Sequence, residues 1–497
     1  MRDDGRTETI GPNEKSERER WIALVVLCAG FLMIILDQTI VNVALPSIQS
    51  DLDFTQSSLA WVVNAYLIAF GGLLLLAGRV GDLIGRRRMF LIGLTIFTLA
   101  SVLCGAAQTQ EMLIGARFVQ GLGGAMTSAV ILGMIVTMFP RPTEQARAIG
   151  VYSFVAAGGA AVGLLAGGAL TEALNWHWIF LVNVPIGVVT GLLTTRLIDR
   201  DEGIGLDRGA DVPGALLIVS SLMLAVYTIV ETEHHGWGSA RTLVLGAVAV
   251  GLLAVFVLRE ARARTPLIPL RIFRSRIVTV ANLVQALTVG GLFGMFFLGA
   301  LYLQRVLGYS PIEVGLAFLP VALLIGAFSL GVSARLIVRF GARATLLPGL
   351  VFIVAGLLLF QRAPVDADYV VDVFPVMVLL GVGGGLFFAA LMTLAMSAAT
   401  QEDSGLASGL VNTTQQVGGA LGLAVIATLS ASRTDSLRDS GDSVANALTG
   451  GYHLAFQVGA GMVVAAIVLA ATLLRPAAAE APETEEAGME PVYSDAV

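Results

Sequence analysis

Apolar blocks of about twenty residues, separated by short polar gaps, recur along the whole chain and leave it few ways to fold. At about 1.5 Å of rise per residue, each block is long enough to cross a hydrocarbon core of about 30 Å as a helix. Only 13% of the 497 residues are charged, far below the roughly one quarter of a soluble protein, so no charged coat exists for a water-facing surface. The pattern predicts an all-α membrane protein with spans at 21–45, 58–78, 89–107, 111–138, 147–170, 178–198, 212–231, 242–258, 277–303, 312–333, 345–361, 373–398, 405–430 and 452–474. These are fourteen transmembrane helices.

An even number of crossings puts both termini on one side. Of the 30 lysines and arginines, 24 fall in the leader, the loops after even-numbered spans and the start of the tail. Five fall on the opposite side, and Arg117 alone lies inside a span. The positive-inside rule then makes both termini cytoplasmic, in a multi-pass protein of the cytoplasmic membrane. The first block follows a charged leader, but it is too long for a signal-peptide core and lacks a small-residue cleavage site, so it counts as a helix. Residues 476–497 are acidic, carry no lysine or arginine and cannot bury enough apolar surface to fold, which predicts a disordered tail. Cys28 and Cys104 sit inside apolar blocks without a CxxC spacing and read as buried, inert thiols.

The chain repeats itself. GRVGDLIGRRR at 78–88 follows the second span and ARLIVRFGAR at 334–343 follows the tenth, with Arg79, Gly85 and Arg87 matching Arg335, Gly341 and Arg343 at one offset, although Val338 replaces Asp82. Like segments on the same side suggest a parallel repeat. The resulting architecture is 6 + 2 + 6: a leader (1–20), a six-helix bundle (21–200), an inserted helix pair (201–260), a second six-helix bundle (261–475) and the tail (476–497).

On these segments, over nearly its whole length, the chain resembles the major facilitator superfamily, and within it the fourteen-helix drug:proton antiporters of the multidrug exporter type. The glycines of 78–88 permit a tight turn, and its charges can pair in one state and part in another. The resemblance makes Gly78, Arg79, Gly81, Asp82, Gly85, Arg86 and Arg87 a cytoplasmic gate between the halves. Asp37 lies in LDQTIVNVALP, about 24 Å along the helix from Trp21, where an acid is too costly to face lipid. Burial favours its neutral form, which suits proton exchange, and it could equally pair with a cationic substrate. Arg117, Gln120, Gly121 and Gly124 share one face of the fourth span. Arg117 cannot give up its own proton but can expel one from a nearby acid, and the resemblance implies that role, so Asp37 and Arg117 are the expected proton-coupling residues. In the fifth span Gly150, Gly159, Gly163, Gly167 and Gly168 resemble the antiporter signature, although Leu164 stands where a proline is usual. The small-residue spacing by itself predicts close helix packing.

WHWIFLVNVPIG at 176–187 and the segment 302–320 also resemble the family, with Pro185 and Pro320 marking kinked helices. Gln38, Asn42, Asn64, Gln120, Asn183, Asn282, Gln285, Asn412, Gln415 and Gln416 are candidate cavity polars, each equally suited to joining helices. Lys15 is the sole lysine and no GxxxxGK[ST] occurs, which excludes an ATP-driven pump in this chain alone. The four histidines form no HExxH and no GxSxG occurs, so no enzyme, metal or cofactor is expected. Nucleic acid is not an expected partner either. The two-half repeat suits alternating access better than a channel. The expected function is proton-coupled efflux of lipophilic, cationic drugs by a monomer. Export of an endogenous metabolite, antibiotic or lipid, and proton symport, use the same fold and stay open on the residues alone.

Overall fold

The computed structural model describes residues 17–205, 209–397 and 404–474. The first sixteen residues of the leader and the acidic tail lie outside these. The described chain is helical throughout, without a strand among the described residues. The first half runs through α1 (Glu17–Asp51), α2 (Gln56–Ile84), α3 (Arg86–Gly105), α4 (Gln110–Met138), α5 (Pro142–Ala173), a short α6 (Trp178–Leu181) and α7 (Asn183–Leu197). Next come α8 (Val212–His235) and α9 (Ala240–Glu260). The second half holds α10 (Arg276–Arg305), α11 (Pro311–Ala327), α12 (Ser333–Phe340), α13 (Ala342–Phe360), α14 (Phe374–Ser397), α15 (Ser404–Asp439) and α16 (Val444–Leu473).

Among the described residues, twelve helical segments are long and apolar enough to cross a membrane, including Trp178–Leu197, which joins α6 to α7, and Tyr369–Ser397, which joins a π-helical turn to α14. The expected fifth and tenth spans fall outside that set. The fifth is the 32-residue α5, and the tenth is the 17-residue α11 continued through a π-helical turn at Phe328–Val332 into α12. Several helices outrun their apolar stretch, α15 reaching Asp439 where hydropathy ends near 430, because backbone hydrogen bonding continues past the last lipid-facing residue. Pro185 sits in the first turn of α7, where its missing N–H has no intrahelical acceptor to lose, just after the break at Val182.

Helix starts follow local chemistry. Thr55 and Ser310 head capping boxes with Ser58 and Glu313, and Thr109, Ser239, Ser275 and Ser443 cap with their hydroxyls. The two matched repeat segments end their helices alike. Gly85 separates α2 from α3 at φ 98°, and Gly341 separates α12 from α13 at φ 87°. Only glycine visits this region readily, so the glycines matched in sequence are matched in backbone. A Cβ at Gly85 would also lie 2.6 Å from the Asp201 carbonyl oxygen.

Within the first half α1 packs on α5, and α4 lies between α2 and α3. In the second half α10 packs on α15 and α16, and α13 on α14. The halves meet along α2 with α15 and α5 with α11, while α8 lies against both α2 and α15. Large apolar side chains such as Leu99, Phe154, Leu192, Val244 and Val250 point outward, as a lipid-facing surface requires. Three hydrogen bonds cross between the halves at the end of the bundle that carries Asp51: Gln304 Nε2 to Val43 O at 2.8 Å, Ile312 N to Glu172 Oε2 at 3.2 Å and Gln56 Nε2 to Ser430 Oγ at 2.9 Å.

The backbone at Gly85 sets a test. Gly85→Ala should lower the thermal midpoint in detergent by the equivalent of about 1–3 kcal/mol for its strained dihedral, before any clash is added. Gly150→Ala, at a position with nothing within 4 Å of a new Cβ, should leave the midpoint unchanged or raise it slightly through helix propensity.

Candidate functional site

Helix α1 is gripped on two faces. On one, Gly159, Gly163 and Gly167 of α5 lie so close that added Cβ atoms would meet Leu32 and Ile35, Thr39 Oγ1, and Ile40 O respectively. The helix-5 glycines therefore pack α1 tightly, as small residues four apart allow. Two glycines depart from the expected motif. Gly150 touches nothing within 4 Å, and Gly168 faces Pro311 and Ile312 of α11 in the other half.

On its other face α1 delivers Asp37, 0% exposed, to Arg117 of α4, 1% exposed. Arg117 donates an NH1 hydrogen bond to Asp37 Oδ2 at 2.6 Å, NH1 also approaches Gln120 Oε1 at 2.7 Å, and Nε donates to Val62 O of α2 at 2.9 Å. Its guanidinium lies over the Tyr66 ring at 4.3 Å and near the Phe180 ring at 5.6 Å. Asp37 Oδ1 accepts from Gln120 Nε2 at 2.7 Å and from Asn183 Nδ2 of α7 at 3.0 Å. Gln120 and Asn183 also donate to Ser101 Oγ of α3, at 2.9 and 3.4 Å. Five parts of the first half thus converge on one carboxylate held by three donors, the geometry that makes charge-assisted bonds strong.

The network is sealed from water. A proton can reach Asp37 only if something opens the cluster, and Arg117 would then need a new partner. Protonation of Asp37 and movement around Arg117 are therefore physically linked, because removing one charge of a buried pair leaves the other uncompensated.

The expected cavity polars divide. Gln120 and Asn183 belong to the Asp37 network rather than to a cavity wall. Gln38 donates to Tyr66 Oη at 3.4 Å, and Asn42 turns back onto Gln38 O and Thr39 O. Asn64 is buried on α2 seven residues before Gly71, hence on the same face, and neither polar atom of its side chain meets a partner among the described residues. In the second half Gln285 donates to Gln415 Oε1 at 3.2 Å, Asn282 turns onto Val278 O, and Gln416 packs where Gly71 leaves room at the seam between α2 and α15. Asn412 is exposed and donates to Ser408 O. These second-half amides lie apart from the Asp37 network.

The segment 78–88 makes its bonds near home. Arg86 pairs with Asp82 at 3.0 Å and donates to Gly133 O and Thr137 Oγ1 of α4, while Arg87 donates to Thr195 O of α7. Asp201 accepts from the backbone N–H groups of Arg86 and Arg87, and Arg79 Nε donates to Gly209 O at 3.3 Å. Gly81 admits Val130 of α4. Among the described residues these bonds tie α2, α3, α4 and α7 together. Sequence reasoning missed Tyr66, Ser101 and Phe180. Each is an unremarkable residue for a membrane helix, and only its position opposite Arg117 or Gln120 gives it a role.

The sequence profile of the Major Facilitator Superfamily matches residues 27–423, and the chain belongs to that family. It is 41% identical over 478 residues to the puromycin resistance protein pur8 of Streptomyces alboniger, covering 95% of both chains. It is 40% identical over 417 residues to the cephamycin export protein CmcT of Amycolatopsis lactamdurans, covering 83% of this chain and 85% of that one. Among solved structures, a bacterial homologue of the lysosomal transporter Spinster in an inward-facing conformation matches with TM-score 0.65 at 15% identity, over 92% of this chain and 96% of that one. The peptide transporter PepTSo matches with TM-score 0.66 at 16% identity, over 92% and 98%. The chain is a multi-pass membrane transporter of small molecules, not an enzyme.

The buried pair can be tested by a double-mutant cycle. Arg117→Gln alone should cost about 3–5 kcal/mol by stranding Asp37, and Asp37→Asn with Arg117→Gln should recover much of it, read as thermal midpoints in detergent.

Proposed function

We propose that the chain is a proton-coupled efflux transporter that works by alternating access, crosses the cytoplasmic membrane fourteen times as 6 + 2 + 6 with both termini in the cytoplasm, and acts as a monomer. Relatives named for resistance to puromycin and export of cephamycin support outward transport of drug-like compounds. The observation that carries proton coupling is the sealed network around Asp37 and Arg117, a charged pair in the membrane interior where an apolar contact would fold at least as well.

In this reading the carboxylate exchanges Arg117 for a proton when the outward-facing state admits water, and releases the proton inward when Arg117 returns. Lipophilic compounds enter from the cytoplasm or the inner leaflet between the halves. The proton gradient supplies about 2.3 kcal/mol per charge per 100 mV and about 1.4 kcal/mol per pH unit. A cationic cargo would compete with Arg117 for Asp37. A second reading, an uncharged cargo rich in hydrogen-bonding groups, is favoured by the neutral amides Asn282, Gln285, Gln415 and Gln416, with the nearest acid already neutralised.

Proteoliposomes with an imposed pH gradient and a fluorescent cation such as ethidium test the coupling. Asp37→Asn should insert normally and lose gradient-driven accumulation, falling to the level of downhill leak. Full gradient-driven transport by this variant would remove Asp37 from the mechanism.

A further inference from the structure

The inner ends of α8 and α9 carry a second buried acidic group that the transport reading does not use. Asp211 caps α8 and Glu260 ends α9, each 3% exposed. The four carboxyl oxygens divide into two that accept hydrogen bonds and two that do not. Asp211 Oδ1 accepts from Gly214 N at 3.0 Å and from Arg259 Nε at 2.7 Å, and Glu260 Oε2 accepts from Ile268 N at 2.9 Å. Asp211 Oδ2 and Glu260 Oε1 are buried and have no donor among the described residues. These two orphaned oxygens flank one point, since a Cβ added at Gly214 would lie 2.5 Å from the first and 2.9 Å from the second.

Two carboxylates cannot approach in this way with both oxygens bare, because each lone pair faces the other's negative charge in a site with little water. One proton between them satisfies both orphans at once. We propose that Asp211 and Glu260 share a single proton between Asp211 Oδ2 and Glu260 Oε1, forming a proton-binding site that clamps the inner ends of the inserted helices to the segment leading into α10. Loss of that proton to water leaves two negative charges against Arg259 and loosens the clamp.

Among the described residues, the charged group that faces the pair is Arg259 of α9, paired with Asp211, while Arg79 of α2 holds Gly209 O two residues before Asp211. Beside it α2, α8 and α9 form an apolar cluster with Leu73, Leu76, Ala215, Phe256 and Leu267. Asp211 lies outside the spanning segments and is held below the ordinary carboxylate range. Burial opposes its ionisation, but the Arg259 hydrogen bond and the Gly214 N–H together outweigh it. The shared proton therefore belongs chemically to Glu260. The clamp also contacts the gate segment through Arg79, so its release would be felt at α2.

The sign of the pH effect follows. The folded chain binds a proton that the unfolded chain releases above the ordinary glutamate range, so the stabilisation is present at acid pH and fades as pH rises through the pair's own titration. Glu260→Gln should mimic the shared proton, with its amide N–H donating to Asp211 Oδ2 and its carbonyl accepting from Ile268.

Infrared spectra of the full-length protein in detergent, taken from acid to alkaline pH, test the site directly. The wild type should show a protonated-carboxyl C=O band at neutral pH that shifts on labelling with 13C-glutamate and is absent from Glu260→Gln. The thermal midpoint of the wild type should fall towards alkaline pH more steeply than that of Glu260→Gln. A neutral-pH spectrum with no glutamate-sensitive carboxyl band overturns the proposal, and so does an unchanged pH slope in Glu260→Gln. The labelled wild type decides the matter even where the variant does not fold, and neither result depends on whether Asp37 couples transport.

Discussion

A carboxylate and a guanidinium closed off from water dictate how the first half must assemble. Asp37 and Arg117 are tolerable inside the membrane only when every partner is in place, and those partners come from α2, α3, α4, α6 and α7. A helix missing from the cluster would leave a buried charge short of hydrogen bonds, a much larger penalty than a missing apolar contact. The glycine stripe of α5 completes the arrangement from the opposite side of α1, fixing that helix while adding no polar group. Specific assembly and the proposed proton coupling thus draw on the same few atoms.

The sequence makes the charged members of this cluster visible and hides the neutral ones. Asp37 and Arg117 stand out because a charge in an apolar block has few physical explanations, and helical spacing joins Gln120 to Arg117 on one face. Ser101 and Tyr66 carry no such signal, since a hydroxyl in a membrane helix can always bond its own preceding turn, as Thr98 does with Leu94. The repeat is legible as matched glycines, and the matched dihedrals of Gly85 and Gly341 give its physical basis. Helix ends are less legible because hydropathy follows the lipid whereas hydrogen bonding follows the backbone. Asp211 and Glu260 escape notice for a related reason: at the edges of spans, acids look like solvated loop residues, and only their approach over Gly214 sets them apart.

The halves divide their chemistry unequally. The first buries the charged pair Asp37 and Arg117, while the second offers amides, Gln285 bonded to Gln415 and Gln416 against Gly71. The segment 78–88 ties four helices of the first half into one body. Alternating access by rocking requires bodies that do not deform, and a motif that stiffens one of them contributes to the motion as directly as a latch between them would. In the proposed alternating access, the hydrogen bonds between the halves at the Asp51 end would be the fulcrum for opening at the other end.

One helix touches every part of this machinery. α2 presents Val62 O and Tyr66 to Arg117, Gly71 to the seam with α15, Leu73 and Leu76 to the inserted pair, and Arg79 to the linker before Asp211. It is an uninterrupted α-helix of 29 residues without an internal proline. Without a proline to kink it, a helix of that kind offers a continuous path by which a shift at Val62 would reach Gly71 and Arg79. In the proposed mechanism, proton exchange at Asp37, packing against α15 and the attachment of α8 and α9 would therefore be coupled through α2, each at a different height along it.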